Sequence, residues 1–243
     1  MILNTIYQKI KQKEKIFSLL IDPDKYELEE LTKTISIASK NKVDLLLIGG
    51  SLISKNLNSI IDQIKKICKI PVVLFPGSCL QISDFADGIL FLSLISGRNP
   101  DFLIGSHVVA APMIKNTGLE VIPTGYILIN GNNATSVQYM SNTTPIPPDK
   151  IDIITATAMA GEMLGLKLLY LEAGSGAKEP INPNIVKEVK KSVKLPIIVG
   201  GGLTDAETLT DILDAGADMV VVGNAIENEK SILEELIKTT KNF

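Results

Sequence analysis

The chain has 243 residues, of which 45% are apolar, and a formal net charge of −3. This length and apolar content allow either one large α/β domain or two small domains. The weak negative charge and the single arginine, Arg98, argue against a surface that binds nucleic acid or anionic lipid. Recognition of phosphate is therefore left to backbone amides, lysine or a metal ion.

Short apolar runs recur along the chain, and each is followed by a helical pattern or by a connection of helix length. The runs are typical of strands buried on both faces, and each leads into Gly, Ser, Asp or Glu. In chain order the predicted strands are Ile16–Ile21, Val43–Ile48, Pro71–Phe75, Gly88–Leu94, Leu119–Ile129 (broken at Pro123-Thr124-Gly125), Lys167–Glu172, Leu195–Val199 and Met219–Val222.

The intervening segments supply most of the helices. The predicted helices are Leu28–Ala38, residues 57–67, Phe102–Ile114, Ile151–Leu164 with Asp149 as its N-cap, Asn184–Val193, a helix from Thr204 or Asp205 to Ala215, and a final helix after Asn224.

This alternation predicts an α/β fold, a (β/α)₈ TIM barrel forming one domain over residues 1–243, with its ligand face at the carboxyl ends of the strands. Only Pro76–Asp87 separate the third and fourth strands, so we expect the helix after strand three to be missing or vestigial. Asn130–Pro148 is polar and is predicted to be a loop.

Cysteine and histidine are scarce. Cys68 and Cys79 suffice for neither a disulfide framework nor a metal cluster, which favours a reducing compartment. The N-terminus lacks the pattern of a signal peptide, and no apolar run reaches the roughly 18 residues that span a bilayer. We therefore expect a soluble, cytoplasmic protein. The sole histidine, His107, has no partner motif and is interpreted as a packing residue.

Glu172 ends the sixth strand and opens onto Gly174, Ser175 and Gly176. Catalytic groups of parallel α/β folds lie at such strand ends, and glycine lets backbone N–H groups approach a ligand closely. Taken alone, Glu172 could also be a solvated loop acid and the glycines a simple turn.

Glycines also follow the last two strands, at Gly200-Gly201-Gly202 and at Gly223-Asn224. These are the positions at which TIM barrels bind phosphate, through free backbone N–H groups and the helix dipole. Either stretch alone would also fit a tight turn, but the pair predicts a phosphate site.

Asp22 ends strand one, and Ser51 follows strand two. Adjacent strand ends meet on one rim, so a carboxylate and a hydroxyl would lie close together there. Mg²⁺ suits this pair, because it takes one or two protein oxygens and completes its shell with water and substrate phosphate. Asp24 is interpreted as a turn acid.

These motifs together resemble the geranylgeranylglyceryl phosphate synthase family, which includes the bacterial heptaprenylglyceryl phosphate synthases. The resemblance covers nearly the whole chain, and DPDK, SGRNP and YLEAGSG in this order are highly specific. The EAGSGA form is closer to the second of the family's two groups. The matching motifs are LIDPDK at Leu20–Lys25, GGS at Gly49–Ser51, FPGS at Phe75–Ser78, SLISGRNP at Ser93–Pro100, PTGYILI at Pro123–Ile129, YLEAGSGA at Tyr170–Ala177, VGGGL at Val199–Leu203 and VVGNAIE at Val221–Glu227.

The resemblance implies a Mg²⁺-dependent prenyltransferase of ether phospholipid synthesis. It would join the C3 hydroxyl of sn-glycerol 1-phosphate to a polyprenyl diphosphate, geranylgeranyl diphosphate being favoured, and release diphosphate. Asp22 and Ser51 would hold the metal ion, and Glu172 would act as the general base. The residues implied for glycerol phosphate are Tyr170, Leu171, Glu172, Ala173, Gly174, Ser175, Gly176, Gly201, Gly202, Gly223 and Asn224.

The prenyl tail needs an apolar trough, which small residues around strands three and four and one tyrosine are predicted to leave. These residues are Gly77, Ser78, Ser93, Ser96, Gly97 and Tyr126.

Two alternative functions stay open at this point. A sugar-phosphate isomerase or aldolase barrel would share the phosphate end, but it would need an acid–base pair or a Schiff-base lysine at inner strand ends. A non-catalytic protein that binds phosphorylated lipids would not need Asp22 and Glu172.

The resemblance also implies a homo-oligomer, with a hexamer favoured over a dimer. Within the long loop, Val137–Met140 places Tyr139 and two apolar residues in a polar stretch. Tyr139 either folds over its own barrel as a lid or docks on a neighbouring subunit, because aromatic residues and Met are enriched at interface cores. A transient contact with a membrane surface also stays open.

Overall fold

The computed structural model describes residues 1–223 and 230–243. Eight parallel strands close into a barrel in chain order, with β8 paired to β1, which confirms the predicted TIM barrel. The strands are β1 (Ile16–Ile21), β2 (Leu45–Ile48), β3 (Val72–Leu74), β4 (Gly88–Leu94), β5 (Glu120–Leu128), β6 (Leu168–Glu172), β7 (Ile197–Gly200) and β8 (Met219–Val222).

Helices lie around this barrel and at its two ends. The α-helices of the described residues are α1 (Ile2–Lys11), α2 (Leu28–Lys40), α3 (Leu57–Ile67), α4 (Ser106–Lys115), α5 (Ser136–Ser141), α6 (Ile151–Met163), α7 (Pro183–Ser192), α8 (Ala206–Asp214) and α9 (Lys230–Lys241). None of them is long and apolar enough to cross a membrane.

Strand residues alternate between two apolar clusters. Phe17 and Leu19 of β1 belong to an outer cluster that includes Leu31 of α2. Ile16 belongs to a second cluster, which fills the barrel interior. Because side chains alternate along a strand, this arrangement buries both faces of each strand and explains why the strands are continuous apolar runs.

Helix α1 was not predicted. It covers the amino-terminal end of the barrel, where Ile2 and Ile6 pack in the interior cluster. Glu120, at the start of β5, accepts hydrogen bonds from the amides of Ile2 and Leu3 and so caps the helix. Burial of each isoleucine stabilises the docked helix by about 1.5–3 kcal/mol.

The connection between β3 and β4 follows the prediction. Residues 75–87, all of them described, form turns and irregular structure, so no helix connects β3 to β4.

Three other features of the secondary structure differ from the prediction. β5 is one continuous strand, because Pro123 still pairs with Phe91 and its carbonyl accepts from the Lys167 amide at 2.8 Å. A π-helical turn, Asp101–Gly105, precedes α4. The N-cap position of α6 is Lys150, and Asp149 forms an ion pair with it at 2.8 Å instead of capping the helix.

The segment predicted as the loop Asn130–Pro148 contains α5. Thr135 begins this helix by accepting from the Gln138 amide at 3.4 Å, and Asn142 ends it in the left-handed conformation. Asn99 of the SGRNP motif donates to the Ser141 carbonyl at 2.7 Å. These contacts fix α5 above the carboxyl-terminal face of the barrel.

Candidate active site

A cavity of about 690 Å³ opens at the carboxyl-terminal ends of the strands. It brings together residues that are far apart in the sequence and that were predicted for the metal, phosphate and prenyl sites. From the predicted sets its lining contains Asp22, Ser51, Gly77, Ser78, Tyr126, Tyr170, Glu172, Ser175, Gly176, Gly201, Gly202 and Gly223. Asn224 lies outside the described residues.

Glu172 is the buried acid of this cavity, with 5% of its surface exposed. Its Oε1 accepts from the Gly174 amide at 2.7 Å. Burial raises the pKa of Glu172 to about 7, although the hydrogen bonds from Gly174 and the Tyr170 hydroxyl act in the opposite direction. A carboxyl group with this pKa can take up and release a proton near neutral pH, which a solvated loop acid could not do as well.

The glycines near Glu172 are required by backbone geometry. Gly174, Gly176, Gly201 and Gly202 all have positive φ angles, between 72° and 104°. A Cβ atom at Gly201 would also lie 2.5 Å from Glu172 Oε1. Within the described part of the chain, no backbone hydrogen bond is made by the amides of Gly201 and Gly202. These amides at the cavity wall can therefore donate to an anion.

Because side chains alternate along β6, only some residues of the YLEAGSG motif face the cavity. Tyr170 lies in the barrel interior, whereas Leu171 and Ala173 belong to the outer cluster. The two latter side chains therefore do not reach the cavity, and only their backbone is near it. Gly174 is absent from the lining as well, and its amide instead holds Glu172.

Asp22 lies on the opposite side of the cavity. Its Oδ1 accepts from the Asp24 amide at 3.2 Å, and a Cβ atom at Gly50 would lie 3.0 Å from Oδ2. Among the described residues no hydrogen bond to Oδ2 is found, and burial raises the pKa of Asp22. The backbone before Ser51 thus packs directly on a half-buried carboxylate that a cation would stabilise.

Asp24 has a different role. Its carboxylate accepts from the amides of Ser54 and Lys55 at 2.7 and 2.9 Å. It does not line the cavity. These contacts support its interpretation as a turn acid.

Three aromatic rings form the wall between the two ends. Tyr170 lies 5.3 Å from both Phe75 and Tyr126, measured between ring centroids. Burial raises the pKa of the Tyr170 hydroxyl well above its usual range, so it remains a neutral donor towards Glu172. The apolar part of the cavity continues from these rings to α4, at Ala110 and Ile114.

Some predicted groove residues lie outside this cavity. Ser93 does not line it, and its hydroxyl instead lies 3.1 Å from Nε2 of His107. Gly97 is also outside, because its backbone packs against the Thr143 side chain. Ser96 Oγ accepts from the Leu128 amide at 2.9 Å, which joins the segment after β4 to β5. These small residues, in β4 and directly after it, therefore make packing and hydrogen-bond contacts outside the cavity.

The sequence analysis did not predict His107 as a lining residue, and it left open whether Tyr139 covers its own barrel. His107 is buried against Phe91, with the rings edge to face at 4.6 Å, and burial lowers its pKa. It is a packing residue, as predicted, but it also contributes to the cavity wall. Val137, Tyr139 and Met140 reach the cavity from α5. Their position over the barrel depends on α5, which the loop prediction did not contain.

The PcrB family model matches residues 8–242 of the chain. The geranylgeranylglyceryl phosphate synthase of Chitinophaga pinensis is 53% identical over 223 residues, which cover 91% of this chain and 88% of that protein. The geranylgeranylglyceryl phosphate synthase of Thermococcus gammatolerans is 40% identical over 239 residues, 95% of this chain and 94% of that protein.

A solved structure has the same fold throughout. It is (S)-3-O-geranylgeranylglyceryl phosphate synthase from Thermoplasma acidophilum in complex with its substrate sn-glycerol-1-phosphate. The TM-score is 0.93 at 30% identity, and the match covers 99% of this chain and 98% of that chain. Because the family model and these relatives cover nearly the whole chain, the protein belongs to the PcrB family, together with the geranylgeranylglyceryl phosphate synthases that it resembles.

Proposed function

We propose that the protein is a prenyltransferase that joins the C3 hydroxyl of sn-glycerol 1-phosphate to C1 of a polyprenyl diphosphate, with geranylgeranyl diphosphate as the favoured donor. The product would enter ether phospholipid synthesis. The observation that carries the proposal is a single cavity with a buried acid and glycine amides at one end, Asp22 at the other, and an aromatic wall between them. The names of the relatives support the same activity.

The acceptor would bind at the Glu172 end. Amides of Gly201 and Gly202 would hold its phosphate, and Glu172 would receive the proton of its C3 hydroxyl. As the new C–O bond forms, the bond between C1 and the diphosphate oxygen breaks, and its electron pair leaves with diphosphate. An acid with a pKa of about 7 can accept this proton and return it to water afterwards.

The diphosphate would bind at the Asp22 end, where Asp22 and Ser51 would supply protein oxygens to Mg²⁺. In the described residues no group of three or more His, Cys, Asp or Glu side chains could enclose a metal. This sparse donor set suits an ion that keeps waters and substrate phosphates in its shell. When bound, Mg²⁺ would stabilise the charge of the leaving diphosphate.

The other two functions find less support in the site. Among the described residues that line the cavity, the acids are Asp22 and Glu172, and the one lysine is Lys25, which follows strand one in the Pro23–Lys25 turn. A barrel that works through a Schiff base would need a lysine inside. A binding protein would have no use for a buried acid whose pKa is near 7.

The test is turnover. The purified protein is incubated with Mg²⁺, labelled sn-glycerol 1-phosphate and prenyl diphosphates of graded length, and the lipid product and the released diphosphate are measured. We expect equal amounts of both. Binding of both substrates without product would indicate the lipid-binding function, and conversion of a sugar phosphate would indicate the isomerase function.

We further propose that the protein works in the cytoplasm as a homo-oligomer. Cys68 and Cys79 are both free, which fits a reducing compartment. Tyr139 exposes 86% of its surface and Met140 exposes 48%, although both lie at the mouth of the cavity. Such exposure of an aromatic ring beside a methionine favours docking on a neighbouring subunit over a closed lid.

A Tyr139→Ala variant is therefore expected to lower the assembly state, from a hexamer in the wild type, while turnover continues. Light scattering measures both masses, and Tyr7→Ala serves as a control because Tyr7 is a partly exposed tyrosine on α1, at the other end of the barrel. A monomeric wild type would contradict the proposed oligomer. An alanine variant of full mass would show that Tyr139 is not the anchor.

A further inference from the structure

Gln81 is a buried polar residue in the connection that replaces the third helix. It exposes 5% of its surface and does not line the cavity. Its backbone amide donates to the Ser78 carbonyl at 3.1 Å, which closes a turn and directs the side chain back towards the barrel rim. A buried amide side chain needs partners for both its oxygen and its nitrogen.

Gln81 finds these partners on two different strand ends. Its Oε1 accepts from the Gly77 amide at 2.9 Å, and its Nε2 donates to the Gly50 carbonyl at 2.9 Å. Gly77 follows β3, and Gly50 follows β2. One side chain therefore joins the two loops that carry Ser78 and Ser51 into the cavity.

The backbones of these loops are also in direct contact. A Cβ atom at Gly77 would overlap the Gly50 carbonyl and would lie 3.0 Å from the Cα atom of Ser51. A Cβ atom at Gly50 would lie 3.0 Å from Asp22 Oδ2. A shift of the Gly50 carbonyl would therefore move Ser51 relative to Asp22, and the hydrogen bond from Gln81 opposes such a shift.

We propose that Gln81 is a positioning residue for the diphosphate half of the site, where its amide holds the Gly50–Ser51 turn against Gly77 and thereby sets Ser51 beside Asp22. This inference rests on the proposed function. In a barrel with a complete third helix, the helix would help to fix the loop after β3. Here residues 75–87 are turns, and the two hydrogen bonds of Gln81 supply that restraint.

The test uses Gln81→Met, which keeps the side-chain length but removes both hydrogen bonds. Calorimetry measures the affinity for inorganic pyrophosphate with Mg²⁺, in the presence of saturating sn-glycerol 1-phosphate, and separately the affinity for sn-glycerol 1-phosphate. We expect pyrophosphate to bind about tenfold more weakly, because loss of both hydrogen bonds releases the Gly50–Ser51 turn from Gly77. The KM for the prenyl diphosphate should rise by a similar factor, and binding of sn-glycerol 1-phosphate should change less than twofold.

Gln63→Met is the matched control, since Gln63 is half-buried on α3 and its Oε1 has no hydrogen-bond partner among the described residues. It should bind both ligands like the wild type. Unchanged pyrophosphate binding in Gln81→Met would overturn the inference, as would equally weakened binding of both ligands, which indicates a general structural role.

If Gln81→Met does not fold, Gln81→Asn, which is too short to reach both loops, is judged by the same criteria. Absence of product from the wild type would instead refute the proposed function, and the calorimetric comparison would still decide the role of Gln81.

Discussion

Replacement of Glu172 by glutamine is expected to lower kcat by about 10²- to 10⁴-fold, the usual contribution of general acid–base catalysis. Glutamine has the same shape and can still accept from the Gly174 amide, but it cannot take the proton of the acceptor hydroxyl. The affinities for both substrates should change little. Single-turnover kinetics and direct binding measurements separate these effects. Wild-type turnover in this variant would remove Glu172 from the mechanism.

The pH dependence gives a second measure of the same group. The base must be deprotonated, and burial raises the pKa of Glu172 to about 7. Therefore kcat/KM should rise with pH below about 7 and level off above it. A profile that stays flat between about pH 5 and pH 9 would contradict a general base with this pKa.

The pH dependence of folding stability tests the raised pKa of Glu172 independently of turnover. The folded pKa of Glu172 lies above its ordinary value of 4.5, so the neutral acid is the form that the fold favours. Its stability contribution is complete below about pH 4.5 and is lost as the pH rises through about 7, which amounts to a few kcal/mol at about 1.4 kcal/mol per pKa unit. Glu172→Gln should therefore melt above the wild type at pH 8.5, and this difference should shrink at pH 5. Glu188→Gln on the exposed face of α7 should show neither effect.

The barrel could be predicted from the sequence because each strand is a short apolar run that leads into a small or acidic residue. That pattern is local, and burial on both faces enforces it. α1 was missed because its two buried residues, Ile2 and Ile6, are only four positions apart in a polar stretch. α5 was missed because its position depends on a long-range hydrogen bond, which Asn99 donates to the Ser141 carbonyl.

For the site, the sequence predicted which residues lie at strand ends but not the contacts around them. Strand ends converge on one rim, so Asp22 and Glu172 could be assigned to one ligand face before their surroundings were known. The pKa of Glu172 and the contacts of Gln81 could not be predicted, because both depend on packing between segments distant in sequence. The position of Ser93 outside the cavity could not be predicted for the same reason, since only the fold brings His107 next to it.

The second large effect is expected at the other end of the cavity. If Asp22 holds Mg²⁺, Asp22→Asn should weaken the binding of the prenyl diphosphate by at least the roughly tenfold that is typical when a metal site loses even an outer-shell partner. Binding of sn-glycerol 1-phosphate should stay nearly unchanged, because its proposed ligands lie at the carboxyl ends of β6 and β7. Calorimetry with each substrate, in the presence and absence of Mg²⁺, measures both affinities.

Asp24→Asn distinguishes a ligand from a turn acid. Asp24 is two residues away, and its carboxylate accepts from the Ser54 and Lys55 amides without lining the cavity. Its replacement should lower the melting temperature but leave the affinity for the prenyl diphosphate within about twofold, because only hydrogen bonds within a turn are weakened. For Asp22→Asn we expect the reverse, since removal of a half-buried charge whose pKa is raised by burial does not cost stability at neutral pH. If Asp22→Asn weakens the binding of both substrates equally, or strongly lowers the melting temperature, Asp22 supports the fold and does not bind the ion.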